Sequence, residues 1–579
     1  MRVIPVLCAA LVALRPLVAQ DTAIVIHPES VGLHFTPPAL PGAVVSEAVR
    51  FYNAPTTARL AGRVRLPAGH LWQGDVAIRN GPAMVGGRVI GSLLVLNGNA
   101  VLDSTAAITG ELLVIGGTVL GARDSVQGGV RAYTEPLPYR LIGDTLVHAP
   151  DLWRRLSLSA RYVFGRGESR SSLMLATGGT YNRVEGLPIV AGPSVDVRLG
   201  SRVQLRGSAA GVFRTARSIN RECCDLGYSV RAEIRVGDRR PVALALRAFD
   251  LVTPVEDWGL RANEVGWEAF FVRRDYRDYY RNNGTAARLT WQAEMPLSLA
   301  VELRHEHQTS VDARDPWSVS RTSLPWRPNP PIDAGNYVTI APSLTLDTRN
   351  DRDQPSSGWF VRGIVDVSRS DDAHPAAGFP GTIRDSAALL GAYRFTRAFF
   401  DVRRYNRISA QGRLNLRLVL GGWLGGDPLP IHKRLSLGGP EPLPGYDFRQ
   451  SACNAAASSG PFAGTSLAAC DRVIAVQAEY RGHVSLRTRY NAEGGEGEGL
   501  GYLTRFLRGP DFVVFGDAGQ GWLVGSGPGR LTSGRLPRLA NWLADLGLGV
   551  DWGGFGLYVT KAVTVGQPLR ITARLEHRF

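Results

Sequence analysis

Lysine is almost missing from this chain of 579 residues: only Lys433 and Lys561 stand among its 66 basic residues, and the rest are arginine. Cysteine is equally sparse. Of five, Cys8 lies in the N-terminal apolar run, leaving the adjacent Cys223 and Cys224 together with Cys453 and Cys470. So few argue against a disulfide scaffold. Cys453 and Cys470 flank an Ala/Ser/Gly-rich insert and either close one loop or stand as two unpaired thiols. Long apolar runs are absent beyond Val3–Leu14, and that stretch of 12 residues is too short to cross a bilayer as a helix, which excludes a helical transporter. With 44% apolar and 20% charged residues and 67 glycines, the composition also excludes a disordered chain and a coiled coil.

What is present begins with an address. Met1-Arg2, the apolar run and Arg15-Pro-Leu-Val-Ala19 have the charged, apolar and small-residue parts of a secretory signal peptide, predicted as residues 1–19. Residues 21–150 hold nine basic and nine acidic side chains, so 13 of the 15 net positive charges lie after residue 150. Those arginines are spread one or two per strand and form no patch. That pattern disfavours nucleic acid and favours the anionic headgroups of outer-membrane lipid and lipopolysaccharide as partners.

Gly91-Ser-Leu-Leu-Val-Leu-Asn-Gly98 returns 19 positions later as Gly110-Glu-Leu-Leu-Val-Ile-Gly-Gly117. Apolar runs between glycine turns at a fixed period predict stacked coils. The repeat resembles a fragment of a bactofilin-type right-handed β-helix; a small β-sandwich is the other reading. Residues 20–133 are thus expected to form a short β-rich periplasmic module, with 134–179 as a linker and no two-helix transport-associated domain.

From about residue 180 the pattern becomes strands of dyad alternation. Leu414, Leu416, Leu418 and Leu420 oppose Asn415 and Arg417; Ile474, Val476, Ala478 and Tyr480 oppose Gln477, Glu479 and Arg481. At the end Leu569, Ile571, Ala573, Leu575 and Phe579 oppose Arg570, Thr572, Arg574, Glu576 and Arg578. One such strand fits any antiparallel sheet. A series of them with an export signal fits a bilayer-spanning barrel, apolar toward lipid and polar toward the lumen. The fold class is therefore all-β: a transmembrane antiparallel barrel of about sixteen strands over residues 180–579. One strand is centred near 269, where unusually long connections on both sides break the alternation of short turns and long loops.

Four segments of the C-terminal half resemble the bacterial surface antigen superfamily, the outer-membrane assembly-factor barrels that include BamA and TamA insertases and two-partner-secretion transporters. They are Leu344-Thr-Leu-Asp-Thr-Arg-Asn-Asp351 with Gln354-Pro-Ser-Ser-Gly-Trp359, Leu437-Gly-Gly-Pro-Glu-Pro-Leu-Pro-Gly-Tyr446, Phe515-Gly-Asp-Ala-Gly519, and Asp545-Leu-Gly-Leu-Gly549 with the terminal Phe579. The resemblance implies a strand-turn motif at Asp347, Arg349, Pro355 and Gly358, a long sixth loop with its signature at Gly438, Gly439, Pro444, Gly445 and Tyr446, and a C-terminal barrel signal at Phe579. It also implies that a loop arginine enters the lumen and pairs with acids on the wall, Asp517 being the candidate. Here that arginine falls on Pro444, and Arg449 is the nearby guanidinium that could reach back.

No Gly-x-Ser-x-Gly elbow is present, and His305-Glu-His307 is the one close histidine pair, two ligands without a third. The glycine-rich 494–499 and 525–529 lack a P-loop lysine. The expectation is a non-enzymatic barrel without cofactor or metal. It would act in insertion or translocation of unfolded outer-membrane or secreted polypeptides; the alternative is a passive pore or surface structural barrel.

Overall fold

The computed structural model describes residues 24–26, 33–35, 40, 42–117, 119–121, 123–133, 137, 139–142, 145–148, 159–164, 169–177, 180–199, 202–216, 226–237, 240–292, 297–320, 325–350, 355–374, 376, 393–409, 412–449, 453, 470–483, 510–526, 530–552, 555–575 and 577–578. The signal segment, Cys223, Cys224, the Ala/Ser/Gly insert and Phe579 lie outside these.

The repeat folds as a parallel β-solenoid, the first of the two readings. Ala58 pairs in register with Val76, Val76 with Leu93, Leu93 with Leu112, and Leu112 with Val130, so each coil takes 17 to 19 residues. Two further parallel sheets complete the coils, of four and three strands against five in the first. At the same corner of successive coils stand Gly62, Asn80, Asn97 and Gly116, all with positive φ, the conformation that glycine and asparagine tolerate best. Inside, Val76, Ile78, Val95, Leu112 and Val114 stack into one core.

The runs Leu93–Leu96 and Leu112–Ile115 are buried at every position, which alternation toward water cannot explain. The outer face of that sheet is covered. Helix α1 (Gly42–Asn53) sets Val44, Val45, Ala48 and Tyr52 against Ala77, Leu94, Leu96, Leu113 and Ile115, and a hairpin of Tyr139–Ile142 and Thr145–His148 adds Tyr139 and Leu146. Arg59 closes the C-terminus of α1 by donating to the carbonyls of Tyr52 at 2.8 Å and Asn53 at 3.1 Å. Asn53 then clamps the hairpin, giving to the Leu146 carbonyl and accepting from its N–H, both at 2.7 Å.

The strands described after the hairpin form one sheet in sequence order. Its strands are β1 (Ser159–Phe164), β2 (Ser169–Thr177), β3 (Ile189–Leu199), β4 (Val203–Phe213), β5 (Leu226–Val236), β6 (Val242–Pro254), β7 (Tyr279–Gln292), β8 (Leu297–Ser310) and β9 (Gly335–Asp347). They continue as β10 (Gly358–Ser370), β11 (Tyr393–Arg407), β12 (Gly412–Gly426), β13 (Arg472–His483), β14 (Asp511–Val524), β15 (Leu543–Asp551), β16 (Gly556–Ala562) and β17 (Arg570–Arg574). A two-residue parallel piece, Arg530–Leu531, sits on the end of β14. Leu173, Leu175, Leu246, Leu303, Ile340, Leu416, Val476, Leu546 and Ile571 point outward and exposed. The opposite face carries buried Arg247, Glu302, Asp366, Asp401, Arg417, Glu479 and Arg481. An apolar belt of this extent around a charged interior belongs in lipid. Many lumenal arginines are matched by acids, as in Arg247–Glu302 at 2.8 Å and Arg417–Asp401 at 2.9 Å, so the basic excess does not simply face headgroups.

Two expectations are corrected. The stretch centred near 269 is a helix, α2 (Ala262–Val272), inside one long connection between β6 and β7, and this removes the irregular loop spacing. The sheet begins at β1 and β2, within the 134–179 expected as linker. Among the described residues the sheet holds seventeen antiparallel strands, in keeping with the expected barrel of about sixteen. β2 escaped notice because its lumenal positions include Met174 and Ala176, which blur the contrast with Leu173 and Leu175.

Candidate functional site: the lumenal loop and the last strand

After β12 the chain does not stay at the rim. It re-enters the barrel, burying Leu429, Leu437, Leu443, Tyr446 and Arg449. On the way down, the Ile431 N–H donates to Asp333 at 2.8 Å and His432 Nε2 lies 2.7 Å from Gln308 Oε1 on β8. The hydroxyl and N–H of Ser436 donate to Glu256 at 2.6 and 2.7 Å. Leu435 and Cys470 exchange backbone hydrogen bonds at 2.9 and 3.0 Å, and Cys470 is disulfide-bonded to Cys453. The two cysteines therefore close one loop.

The signature glycines serve a tight tip. Gly438 and Gly439 both take φ of +104°, and a Cβ on Gly439 would come 3.2 Å from the Phe448 ring. At Gly445 the reason is proximity: a Cβ there would meet the Asp545 Cβ at 2.7 Å and the Ala562 N at 3.0 Å. The Gly445 N–H instead donates to Asp545 at 2.7 Å. The Tyr446 hydroxyl donates to the Ala544 carbonyl at 2.8 Å and accepts from the Ala544 N–H at 3.1 Å, beside Thr564 at 2.7 Å. Pro444 is buried and brings no charge.

The charge carried into the lumen by the tip is negative. Glu441 accepts from Gln477 at 2.8 Å and from Arg574 at 2.7 Å, with Arg417 at 3.7 Å. Asp517 does not receive Arg449. Its partners are Arg578, past the end of β17, and Gln477 at 3.4 Å. Arg449 pairs with Asp278 and, at 3.3 Å, with Glu256, both from the β6–β7 connection. Burial pushes the Asp278 carboxyl up, but Arg327, Arg449 and Arg183 around it hold it well below the usual carboxylate range.

The strand-turn motif forms a hairpin at the opposite, short-turn rim. Asp347 pairs with Arg349 at 2.9 Å, and Arg349 stands over the Phe360 ring at 4.7 Å. Pro355 is buried, and Gly358 has φ of +110° where a Cβ would strike the Thr348 carbonyl oxygen at 2.3 Å. This hairpin shapes the wall and lies apart from the loop tip. His305 and His307 face outward, His307 bonding Asn336 at 2.9 Å.

Sequence reasoning missed Glu264, Glu441, Gln477, Arg574 and Arg578 as partners. Arg574 and Arg578 stood on the polar face of the final segment, which was the available signal. Glu264 lies in the stretch near 269 that reads as a strand by pattern. Among the described residues no ladder joins β17 to β1 or β2.

Residues 226–483 match the Omp85 superfamily domain. Among solved structures, BamA from Haemophilus ducreyi lacking POTRA domains 1–3 is similar at 12% identity and a TM-score of 0.40, covering 71% of this chain and 70% of that one. CdiB from Acinetobacter baumannii is similar at 11% identity and a TM-score of 0.29, covering 76% and 69%. A short stretch of 52 residues, 9% of the chain, is 38% identical to the anti-sigma-W factor RsiW of Halalkalibacterium halodurans, and spans 24% of the length of that curated relative.

Proposed function

We propose that this barrel, which is of the Omp85 type, inserts or translocates polypeptides at the outer membrane by opening its wall between the last strand and the first. The observation that carries the reading is β17. Its ladder to β16 is five residue pairs long, whereas β12 and β13 share eleven, and among the described residues its outer edge has no ladder partner. An edge held by few backbone bonds is the place where a sheet parts and where an incoming strand can pair.

The signal segment would send the chain through the inner membrane, the solenoid would stand in the periplasm, and Asp545, Gly445 and Tyr446 would keep the tip seated during opening. No cofactor enters this scheme. A passive pore is less well supported, because Leu429, Leu437, Leu443 and Tyr446 fill the space an open channel would leave to water. The test uses the full chain in liposomes supplied with a urea-unfolded outer-membrane barrel polypeptide. Heat-modifiable, protease-protected product should accumulate several-fold faster than in empty liposomes. An equal rate overturns the proposal.

A further inference from the structure

Helix α2 occupies a position that its sequence does not advertise. At its first turn Glu264 takes two nitrogens of Arg574, Nε at 2.7 Å and Nη2 at 2.9 Å, and also accepts the Leu575 N–H at 3.0 Å. The third nitrogen of the same guanidinium donates to Glu441 of the loop tip at 2.7 Å. Arg574 and Glu264 are both buried, so the pair is screened from water and the loss of either charge would leave the other in the interior with fewer partners.

Two residues further along the helix, Gly266 lies against the other end of the sheet. A Cβ on Gly266 would come 2.9 Å from the Thr180 Cβ and 3.1 Å from the Tyr181 N, in the segment that follows β2. One turn on, the Phe270 ring packs edge-on against Tyr181 with centroids 5.2 Å apart. The C-terminal end of α2 is anchored separately: Val319 and Ser320 donate to the carbonyls of Phe270 and Phe271 at 2.9 and 3.0 Å. One short helix thus touches β17 with Glu264 and the chain after β2 with Gly266.

We propose that α2 is a strap across the seam, with Glu264 as the positioning residue that seats β17 through Arg574. The inference rests on the reading that the seam opens to admit a polypeptide. Because Arg574 also holds Glu441, lifting the strap frees one side of the loop tip in the same movement. Seam and loop are then released together. Glu264 touches no substrate; it acts by fixing where Arg574 and the Leu575 backbone lie.

Two variants approach the strap from opposite sides. Glu264→Gln keeps the shape and removes the charge facing β17, while Gly266→Leu drives a side chain into Thr180. In the full-length protein in liposomes, hydrogen exchange is followed separately in β2 and in β16–β17, beside the rate of polypeptide insertion. Each variant should speed exchange about tenfold or more in both places, since Glu264→Gln weakens the charge-assisted hold on β17 and Gly266→Leu pushes the same helix off the chain after β2. Glu264→Asp should restore slow exchange in part. If Glu264→Gln loosens β17 while β2 is unchanged, or if neither strand responds, the strap is overturned. Faster exchange at both edges with no insertion by any form keeps the strap and removes the polypeptide reading. Should Gly266→Leu fail to fold, Glu264→Gln and Tyr181→Ala carry the comparison alone.

Discussion

Arg578 lies over the ring of Phe515, its guanidinium carbon 3.7 Å from the centroid, and reaches on to Asp517 two residues along the same strand. In the family that the C-terminal half resembles, the guanidinium at this wall is expected from the sixth loop. Here it comes from the chain just after the last strand, while the loop offers Glu441 to Arg574. The polarity of the contact is reversed, and the partner of the lumenal wall is now the element that borders the seam.

Arg578→Ala should cost about 3 to 5 kcal/mol by removing the guanidinium from the buried Asp517, which keeps Gln477 at 3.4 Å. The readout is the urea midpoint of heat-modifiability. Asp517→Asn in that background should recover part of the loss. Pro444→Arg added to Arg578→Ala should recover part as well, because Gly445 already touches Asp545, which pairs across strands with Asp517. Pro444→Arg alone should destabilise. An unchanged midpoint for Arg578→Ala would show the contact to be dispensable.

The two faces of the wall should respond differently to charge. Arginine at outward Leu416 or Val476 is expected to cost ~2–4 kcal/mol near the bilayer midplane. Arginine at lumenal Asn415, which lies 3.3 Å from Glu479, should cost far less. Refolding equilibria in lipid vesicles measure both, and equal costs would invert the assignment of inside and outside.

Labelling tests the seat of the loop. Tyr446 is 1% exposed and Leu539, in the connection before β15, is 78% exposed. With an impermeant thiol reagent on intact cells, a Tyr446→Cys protein should resist modification and a Leu539→Cys protein should react. Fast labelling at position 446 would place the tip at the surface.

The solenoid carries its own pH dependence. Glu47 on α1 and Glu111 on the second Leu-Leu run both pair with Arg131, the latter shared between them. The Arg131 hydrogen bond holds the Glu47 carboxyl below its ordinary value. A lowered carboxylate contributes stability above its unfolded pKa and loses it as pH falls through the folded one. The contribution is small, since both side chains are about a third exposed. A Glu47→Gln module should therefore melt slightly below wild type at about pH 7, and the gap should close as pH falls through the lowered range of the Glu47 carboxyl. A gap that persists in acid would remove Glu47 from this account. The fragment to test must run to residue 148, because the hairpin with Leu146 belongs to the fold.

Much of the wall was legible because lipid and lumen impose opposite demands on neighbouring residues, as Leu416 and Arg417 show. The coils were legible because Leu93 and Leu112 recur at the height of one turn. What stayed hidden depends on partners far away in the chain. The segment Val265-Gly-Trp-Glu-Ala-Phe-Phe-Val272 is rich in aromatics and carries one charge, Glu268, so it reads as a strand; it is a helix held by Arg574 and Thr180, 310 and 86 positions from their partners on it. Helix α1 was missed because the coils it covers already accounted for the apolar residues. Arg578 was visible as lumenal, yet periodicity cannot choose among Asp517, Glu479 and Asp545 as its acid.

The order of α1 and the coils has a bearing on synthesis. A flat sheet carrying Leu-Leu-Val-Leu above Leu-Leu-Val-Ile, if left uncovered, is a surface on which other extended chains add. Helix α1 precedes every coil in the chain. As the polypeptide emerges from its N-terminal side, each new coil finds part of its cover already made, and the hairpin that completes the cover follows directly after the last one. Vectorial emergence thus shortens the time during which the sticky face is bare.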